Sequence, residues 1–564
     1  MSNSVSLFDI SLIADLIGQH LSKKDAFSCA LVNKSFHGQF KKWWMRSIRV
    51  WLFENFFGGE ATPKPLGPEL QEVLIKNRHY IRELDLLEPQ EGELIEFIVN
   101  KLSPCRLISL GYSSIENDIH SKPLLLLMDL IERNTTLQNL NLLFFDGVDL
   151  SCIRFRLISA ISSFPYLTTL RLRECMIVHH RDYLALLKRL PMTLQTFEIS
   201  WCIEAAAGVG EVVHFPDIDW PKAYLNMQDL FMDLQLDELE DTILFPFLRR
   251  CPALEEFRIM QSDGVIHERL YPLLADTSLF PRLATIDLRN DFQGYPAWTS
   301  LISAMEGRIK TFAADCYGIL PVENMCERWW ATLEVIRFGW YSNISSEQVG
   351  LILTTCSKLR TLAVFADFED YQFTESSGFW AWELGSYLDA TKWVCLGLKH
   401  LELTFMDARA GSALVKGDYN QSNVEFRTFS GIHAVCYQLG RLTKLQHLRL
   451  GWSTIEKFRN RANLDMSIKN GLMHMAGLKE LEVLDVTCIL QVNIEQEEAE
   501  WMEENWPKLR RIKGLFRKDS KFNYYSMHQE HLYDEDTDRV NRDESSDPIP
   551  IQWLRSQRPQ LVIS

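Results

Sequence analysis

The sequence predicts an α/β solenoid with parallel strands inside and helices outside, and three observations carry that prediction. The phrase L-x-x-L-x-L recurs roughly fifteen times between Ile81 and Ile512. An apolar pattern of helical type separates successive phrases. A proline often stands where helix should give way to strand. Self-similarity at a period of 20 to 50 residues marks a repeat architecture, and such arrays usually present a long surface to a partner.

Each element has a local cause. The phrase reads Leu137, Leu140, Leu142, then Leu167, Leu170, Leu172, and later Leu359, Leu362, Val364 and Leu445, Leu448, Leu450. Its closing L-x-L puts two apolar side chains on one face of a short strand, because side chains alternate with period 2. Between phrases, His180 to Leu187 and Ser346 to Leu353 carry apolar residues at i, i+3 and i+4, with polar residues leading as at an N-cap. The junctions Cys251-Pro252-Ala253-Leu254, Phe164-Pro165-Tyr166-Leu167, Phe280-Pro281-Arg282-Leu283 and Trp506-Pro507-Lys508-Leu509 stop the helix at proline. The phrase resembles the strand signature of leucine-rich repeats. The resemblance implies a horseshoe of about fifteen strands over residues 80–517.

Length and composition bound the class. The chain has 564 residues, 46% hydrophobic and 24% charged, which is ordinary for a globular protein. A net charge of −16 argues against nucleic acid or an anionic membrane as the main partner. The apolar run from Pro123, broken by Asp129 before Leu130, is too short to span a bilayer. Asp9 and Asp15 stand where a secretory signal would be basic. The twelve cysteines are scattered singly without a C-x-x-C pair, as suits a reducing compartment. Asn134-Thr135-Thr136 matches a glycosylation sequon, which has no weight without a secretion signal. A cytoplasmic or nuclear location follows as the expectation.

Residues 1–48 differ from the repeats. Leu12, Ile13, Leu16, Ile17 and Leu21 form an apolar stripe at helical spacing, and Ser22 is placed to cap a second helix with Asp25 in its first turn. So short a module buries little core alone, so apolar surface should remain for a partner. The run Ile13, Ile17, Leu21, Asp25, Leu31, Val32, Phe36 resembles the F-box. The Leu-Pro that usually opens that motif is absent, with Asp9, Ile10 and Ser11 in its place. An F-box followed by leucine-rich repeats resembles the substrate receptors of SCF ubiquitin ligases, and the long irregular repeats look fungal. The resemblance implies binding of a Skp-type adaptor, and through it a cullin scaffold, by Leu12, Leu16, Ile17, Leu21 and Val32.

Residues 49–79 read as a linker and the first repeat helix, with Gly58-Gly59, Pro63, Pro65 and Pro68 marking a loop. Successive phrases lie about 24 to 33 residues apart up to Leu362, then 39, 47 and 36 apart through Leu401, Leu448 and Leu484. The lengthened repeats carry Trp380, Trp382 and Tyr419. Residues 518–564 read as an acidic, mostly disordered tail, ending in the apolar patch Ile549 to Leu554, which is expected either to dock back on the array or to bind something else.

No catalytic, metal or cofactor constellation is expected. His528-Gln529-Glu530-His531 lacks the H-E-x-x-H order, and Gly208-Val209-Gly210 lacks the third glycine and lysine of a phosphate loop. The expected function is therefore target recognition without chemistry. Strand positions pointing away from the core give Arg171, Arg173, Arg258, Arg289, Arg337 and Arg449, with Trp201, Trp340 and Trp452 just beyond. Such a strip suits an acidic or phosphorylated target. The alternative for the strip is that the three tryptophans pack into the rim as core and the arginines pair with neighbours such as Glu198, Asp287 and Glu402. The alternative is a repeat scaffold or GTPase-regulator-like protein outside SCF complexes, whose N-terminal helices merely cap the array.

Overall fold

The computed structural model describes residues 11–51, 68–87, 92–102, 106–114, 121–149, 153–176, 180–200, 220, 223–233, 244–260, 267–291, 296–305, 307–316, 321–339, 344–364, 392–403, 433–450, 467–486, 494–513 and 549–563. Trp201, Trp340, Trp380, Trp382, Tyr419, Trp452, Gly208 to Gly210, His528 to His531 and the acidic run 519–548 lie outside them. The chain divides into two compact units, residues 1–259 with 278–282, and residues 260–277 with 283–564.

The first unit opens with three helices, α1 (Ser11–His20), α2 (Lys23–Val32) and α3 (Lys34–Trp44). Ser22 caps α2 as expected, its hydroxyl accepting from the Asp25 N–H at 3.1 Å. Asn33 does the same for α3, accepting from the Phe36 N–H at 2.9 Å. Ala30 and Phe40 are buried at the centre, and Ile17, Leu21, Cys29, Phe36, Trp43 and Trp44 pack around them. Gly18 is a glycine by necessity, since a Cβ there would lie 2.2 Å from Nε1 of Trp43. That contact lets α1 and α3 approach closely.

Eight strands follow among the described residues of this unit. They are β1 (Ser47–Trp51), β2 (Glu83–Leu87), β3 (Ser109–Ser114), β4 (Asn139–Asp149), β5 (Thr169–Met176), β6 (Thr196–Ser200), β7 (Asp229–Asp233) and β8 (Glu256–Met260). From β1 to β7 every consecutive pair is parallel. The N–H groups of Glu255 and Glu256 bond to the Gln228 carbonyl and carry the ladder into β8. Helices α4 (Pro68–Asn77), α5 (Gly92–Phe97), α6 (Ser121–Arg133), α7 (Arg154–Ser163), α8 (His180–Arg189) and α9 (Phe245–Leu248) alternate with the strands. The L-x-L residues do what their spacing demands: Leu140, Leu170 and Phe197 sit at one register and Leu142, Leu172 and Ile199 at the next, all buried. Each such side chain withdrawn from water contributes about 1.5–3 kcal/mol. The leading leucine closes a turn, as where the Leu137 N–H bonds to the Asn134 carbonyl at 3.1 Å. Asn134 is itself buried, its amide donating to the Leu130 carbonyl and accepting from the Leu107 N–H. The sequon asparagine is thus part of the repeat junction.

The second unit repeats the plan with α10 (His267–Ala275), β9 (Thr285–Asp291), α11 (Pro296–Ala304), β10 (Thr311–Cys316), α12 (Val322–Trp329), β11 (Val335–Phe338), α13 (Ser346–Thr355) and β12 (Thr361–Val364). It continues with β13 (His400–Leu403), β14 (His447–Leu450), β15 (Val483–Asp485), α14 (Gln496–Asn505), β16 (Arg511–Lys513), α15 (Ile549–Gln557) and β17 (Val562–Ile563). All consecutive strands from β9 to β17 pair in parallel. Phe312, Ile336, Leu362, Leu401, Leu448, Leu484 and Ile512 form one buried row across it. Ser345 and Gln348 form a reciprocal capping box at the start of α13. Each unit is therefore an α/β solenoid of leucine-rich-repeat type. Among the described residues, no helix is long and apolar enough to cross a membrane.

Two boundaries differ from those the sequence suggests. Residues Ser47–Trp51 are a strand paired with β2 rather than part of a linker. At the other end, 549–563 form a last helix and strand rather than part of a disordered tail. Val562 pairs with Arg511, and Arg558, 6% exposed, donates to the carbonyls of Trp506 and Glu503. Neither segment carries the full phrase, so only the neighbouring strand reveals it.

Candidate functional site

Two surfaces of named side chains could engage partners: the outer face of α1 and α2, and the row of strand residues that points away from the repeat core.

On α2 the usual amphipathic order is inverted. Ala26 and Ala30 are buried, whereas Phe27, Leu31 and Val32 are 45%, 67% and 64% exposed. Phe27 and Leu31, four residues apart, share one helix face. On α1, Leu16 is 52% exposed. Of the residues expected to meet an adaptor, Leu16 and Val32 stand open, while Ile17 and Leu21 pack on the internal core of the helices. The side chain of Leu12 lies outside the described residues. Phe27 and Leu31 complete the exposed apolar set and were missed in the sequence reading. Their offset by one from the two alanines was the available signal.

The strand row is less basic than its arginines suggest. Arg173 holds Glu198 through two hydrogen bonds of 2.6 and 2.9 Å, and Nε of Arg171 lies 3.1 Å from the same carboxylate. Glu198 sits beside Arg171 because the register of β5 and β6 pairs them. Arg258 bonds both oxygens of Asp229, reaches Glu256 at 3.2 Å and lies over the Phe231 ring. Arg449 lies 3.7 Å from Asp485, its cross-strand neighbour. Each of these four arginines thus faces a carboxylate, with Arg171 and Arg173 sharing the one of Glu198, so the expected basic strip is in part offset by ion pairs. Arg337 is exposed between Ala313 and Ala363 and makes no ion pair among the described residues. Arg289 lies in β9, but its side chain, like those of Trp340 and Trp452, falls outside the described residues.

Next to Arg449, His400 stacks on His447 at 5.3 Å and lies 2.5 Å from Glu402. Burial pushes the Glu402 carboxyl up, but His400, Arg449 and Arg337 outweigh it and hold it below its ordinary range. The thiols are of the opposite kind: burial raises Cys395 and Cys436 to about 12, so they remain protonated at neutral pH. Among the described residues no group of three or more His, Cys, Asp or Glu side chains is arranged to hold a metal ion.

No family model matches this sequence, and no curated protein matches it. Similar solved structures include a chain of the yeast Rad7–Elc1 complex, 14% identical, covering 53% of this chain and 79% of that one with a TM-score of 0.27. A chain of the TLR13–ssRNA13 complex is 13% identical, covering 78% of this chain and 58% of that one with a TM-score of 0.31. The repeat assignment rests on the parallel ladders and their buried leucine rows.

Proposed function

We propose that this chain is a non-catalytic recognition subunit of an SCF-type ubiquitin ligase, in which α1–α3 dock a Skp-type adaptor and the repeats hold a target protein. Its location would be cytoplasmic or nuclear. The observation that carries the reading is helix α2, which buries its alanines, leaves Leu31 and Val32 open and Phe27 half-exposed against Trp44, while Leu16 stands open on α1. Large apolar groups on a small module mark an interaction surface rather than packing left over from folding. The ligase itself rests on the F-box resemblance of residues 13–36 and on the joining of such a module to leucine-rich repeats. The mechanism would be proximity: tethering a target raises the local concentration of its lysines near a charged conjugating enzyme.

Co-expression with Skp-type adaptors and capture on this chain tests the proposal. Leu16→Asp with Leu31→Asp should abolish adaptor capture. Both sites are more than half exposed, so each substitution should cost about 0.5 kcal/mol and the pair about 1 kcal/mol. Adaptor capture undiminished by this pair, with far-UV CD unchanged, would leave the scaffold reading, in which the helices only cap the repeats.

A further inference from the structure

Some cations of the described repeats have carboxylate partners, such as Arg173, Arg258, Lys508 and Arg510. Others, such as Lys101, Lys188 and Lys444, make no ion pair among the described residues. Between β10 and β13 several of the second kind gather on neighbouring strands. Lys310, Arg337, Lys358 and Lys399 are exposed and have no side-chain hydrogen bond or ion pair among the described residues. Arg360, 62% exposed, has only a 3.5 Å contact to Glu334. Lys310, Arg360 and Lys399 stand one residue before β10, β12 and β13, with Glu334 at the same place before β11. Their backbones are tied in one ladder, Arg360 N–H to Glu334 carbonyl and Lys399 N–H to Arg360 carbonyl. With neighbouring strands about 4.8 Å apart, the stretch from Lys310 to Lys399 spans on the order of 14 Å.

The floor beside these cations is small and uncharged. Thr311, Val335 and Thr361 share one register, and Ala313 and Ala363 flank Arg337 on the other. Among the acids with described side chains that adjoin it, Glu334 is met by Arg360, Glu402 by His400, and Asp287 is buried. A planar guanidinium standing above two alanines has open space for a bidentate carboxylate. In a chain of net charge −16, leaving five neighbouring cations almost unpaired costs self-repulsion that a bound anion would relieve.

We propose that the face of β10–β13 is a docking site for an acidic, Asp/Glu-rich polypeptide segment of a partner, with one carboxylate on Arg337 and the segment running along Lys310, Arg360 and Lys399. This deepens the recognition reading above and rests on the repeats being the target-holding part. The test uses the full chain and a fluorescein-labelled alternating Asp/Ser dodecapeptide, followed by anisotropy at about 0.05 M and about 0.3 M NaCl. Binding should weaken with salt, fall about tenfold or more in Arg337→Ala, and fall a few-fold each in Lys310→Ala and Lys399→Ala. Lys508→Ala, in a repeat where the lysine is already paired, should leave it unchanged. Arg337→Lys, which keeps the charge but not the fork, should lie between the wild type and Arg337→Ala.

Absence of salt-sensitive binding, or equal affinity of the wild type and Arg337→Ala with matching thermal melts, overturns the site. Capture of a phosphoserine dodecapeptide but not of the Asp peptide overturns the choice of carboxylate. Adaptor capture is read on the same preparations. Peptide binding without adaptor capture counts against the ligase reading and leaves this site standing, and the reverse counts against this site alone.

Discussion

Arg558 joins the last repeat to the one before it, and its removal has a calculable local cost. Its Nη1 donates to the Trp506 carbonyl at 2.6 Å and to the Leu509 carbonyl at 3.3 Å, and its Nη2 donates to the Glu503 carbonyl at 2.6 Å. Nε also pairs with the Glu503 carboxylate. The Arg558 side chain is 7% exposed and that of Glu503 33%. Arg558→Leu keeps much of the volume and withdraws all these donors. A hydrogen bond to a charged group is worth about 1.5–3 kcal/mol, and the two short bonds to carbonyls dominate. The Glu503 carboxylate can rehydrate and adds little. A local loss of about 3–5 kcal/mol follows, close to that of breaking a buried ion pair. The assay is native-state hydrogen exchange. The Val562 amide, bonded to the Arg510 carbonyl at 2.9 Å, should exchange about two to three decades faster. The Leu484 amide in β15 should keep its rate. A change under tenfold at Val562, or equal acceleration at Leu484, would refute the assignment of this arginine as the local fastener.

Three further outcomes are expected. Ile17→Asp should lower the helical signal of α1–α3, because Ile17 packs on Ala30 and Phe40, whereas Leu16→Asp should not; equal spectra for the two variants would contradict this placement. Glu198→Gln should lower stability to urea by about 1–2 kcal/mol, discounted because Arg171 and Arg173 are 40% and 30% exposed; an unchanged midpoint would show that the pairs contribute nothing net. Burial and the neighbouring His433 hold the His474 pKa below its ordinary 6.5, and the His433 and His474 rings are hydrogen-bonded at 3.1 Å. The unfolded chain then binds the extra proton, so this contribution is present above pH 6.5 and is lost as pH falls through 6.5 toward the folded value. Amide protection factors over 468–477, with the intrinsic pH dependence of exchange divided out, should fall on acidification, and less so in His474→Gln; an identical pH profile in that variant would disprove it.

The repeat core was legible in the sequence because its cause is local. A strand alternates its side chains, so L-x-L commits two residues to one face wherever the phrase occurs, and Leu140 with Leu142 or Leu401 with Leu403 obey it. Ser22 as a cap followed from residue type alone. Other features needed contacts distant in sequence. Strands β1 and β17 lack the phrase and exist by pairing with β2 and β16. The ends of the array were therefore misplaced. The outward turn of α2 was hidden because a periodic pattern fixes a stripe but not what faces it. Trp43 against Gly18 and the buried Phe40 fill the interior, and α2 presents the small residues Ala26, Cys29 and Ala30 to it. Which arginines of the strands are paired stayed open in the sequence for a related reason. Sequence lists arginines one repeat at a time, whereas parallel register sets Glu198 beside Arg171 and Asp485 beside Arg449. Periodicity within a repeat was written in the chain; pairing between repeats depends on alignment across about 25 to 47 residues, which the fold alone imposes.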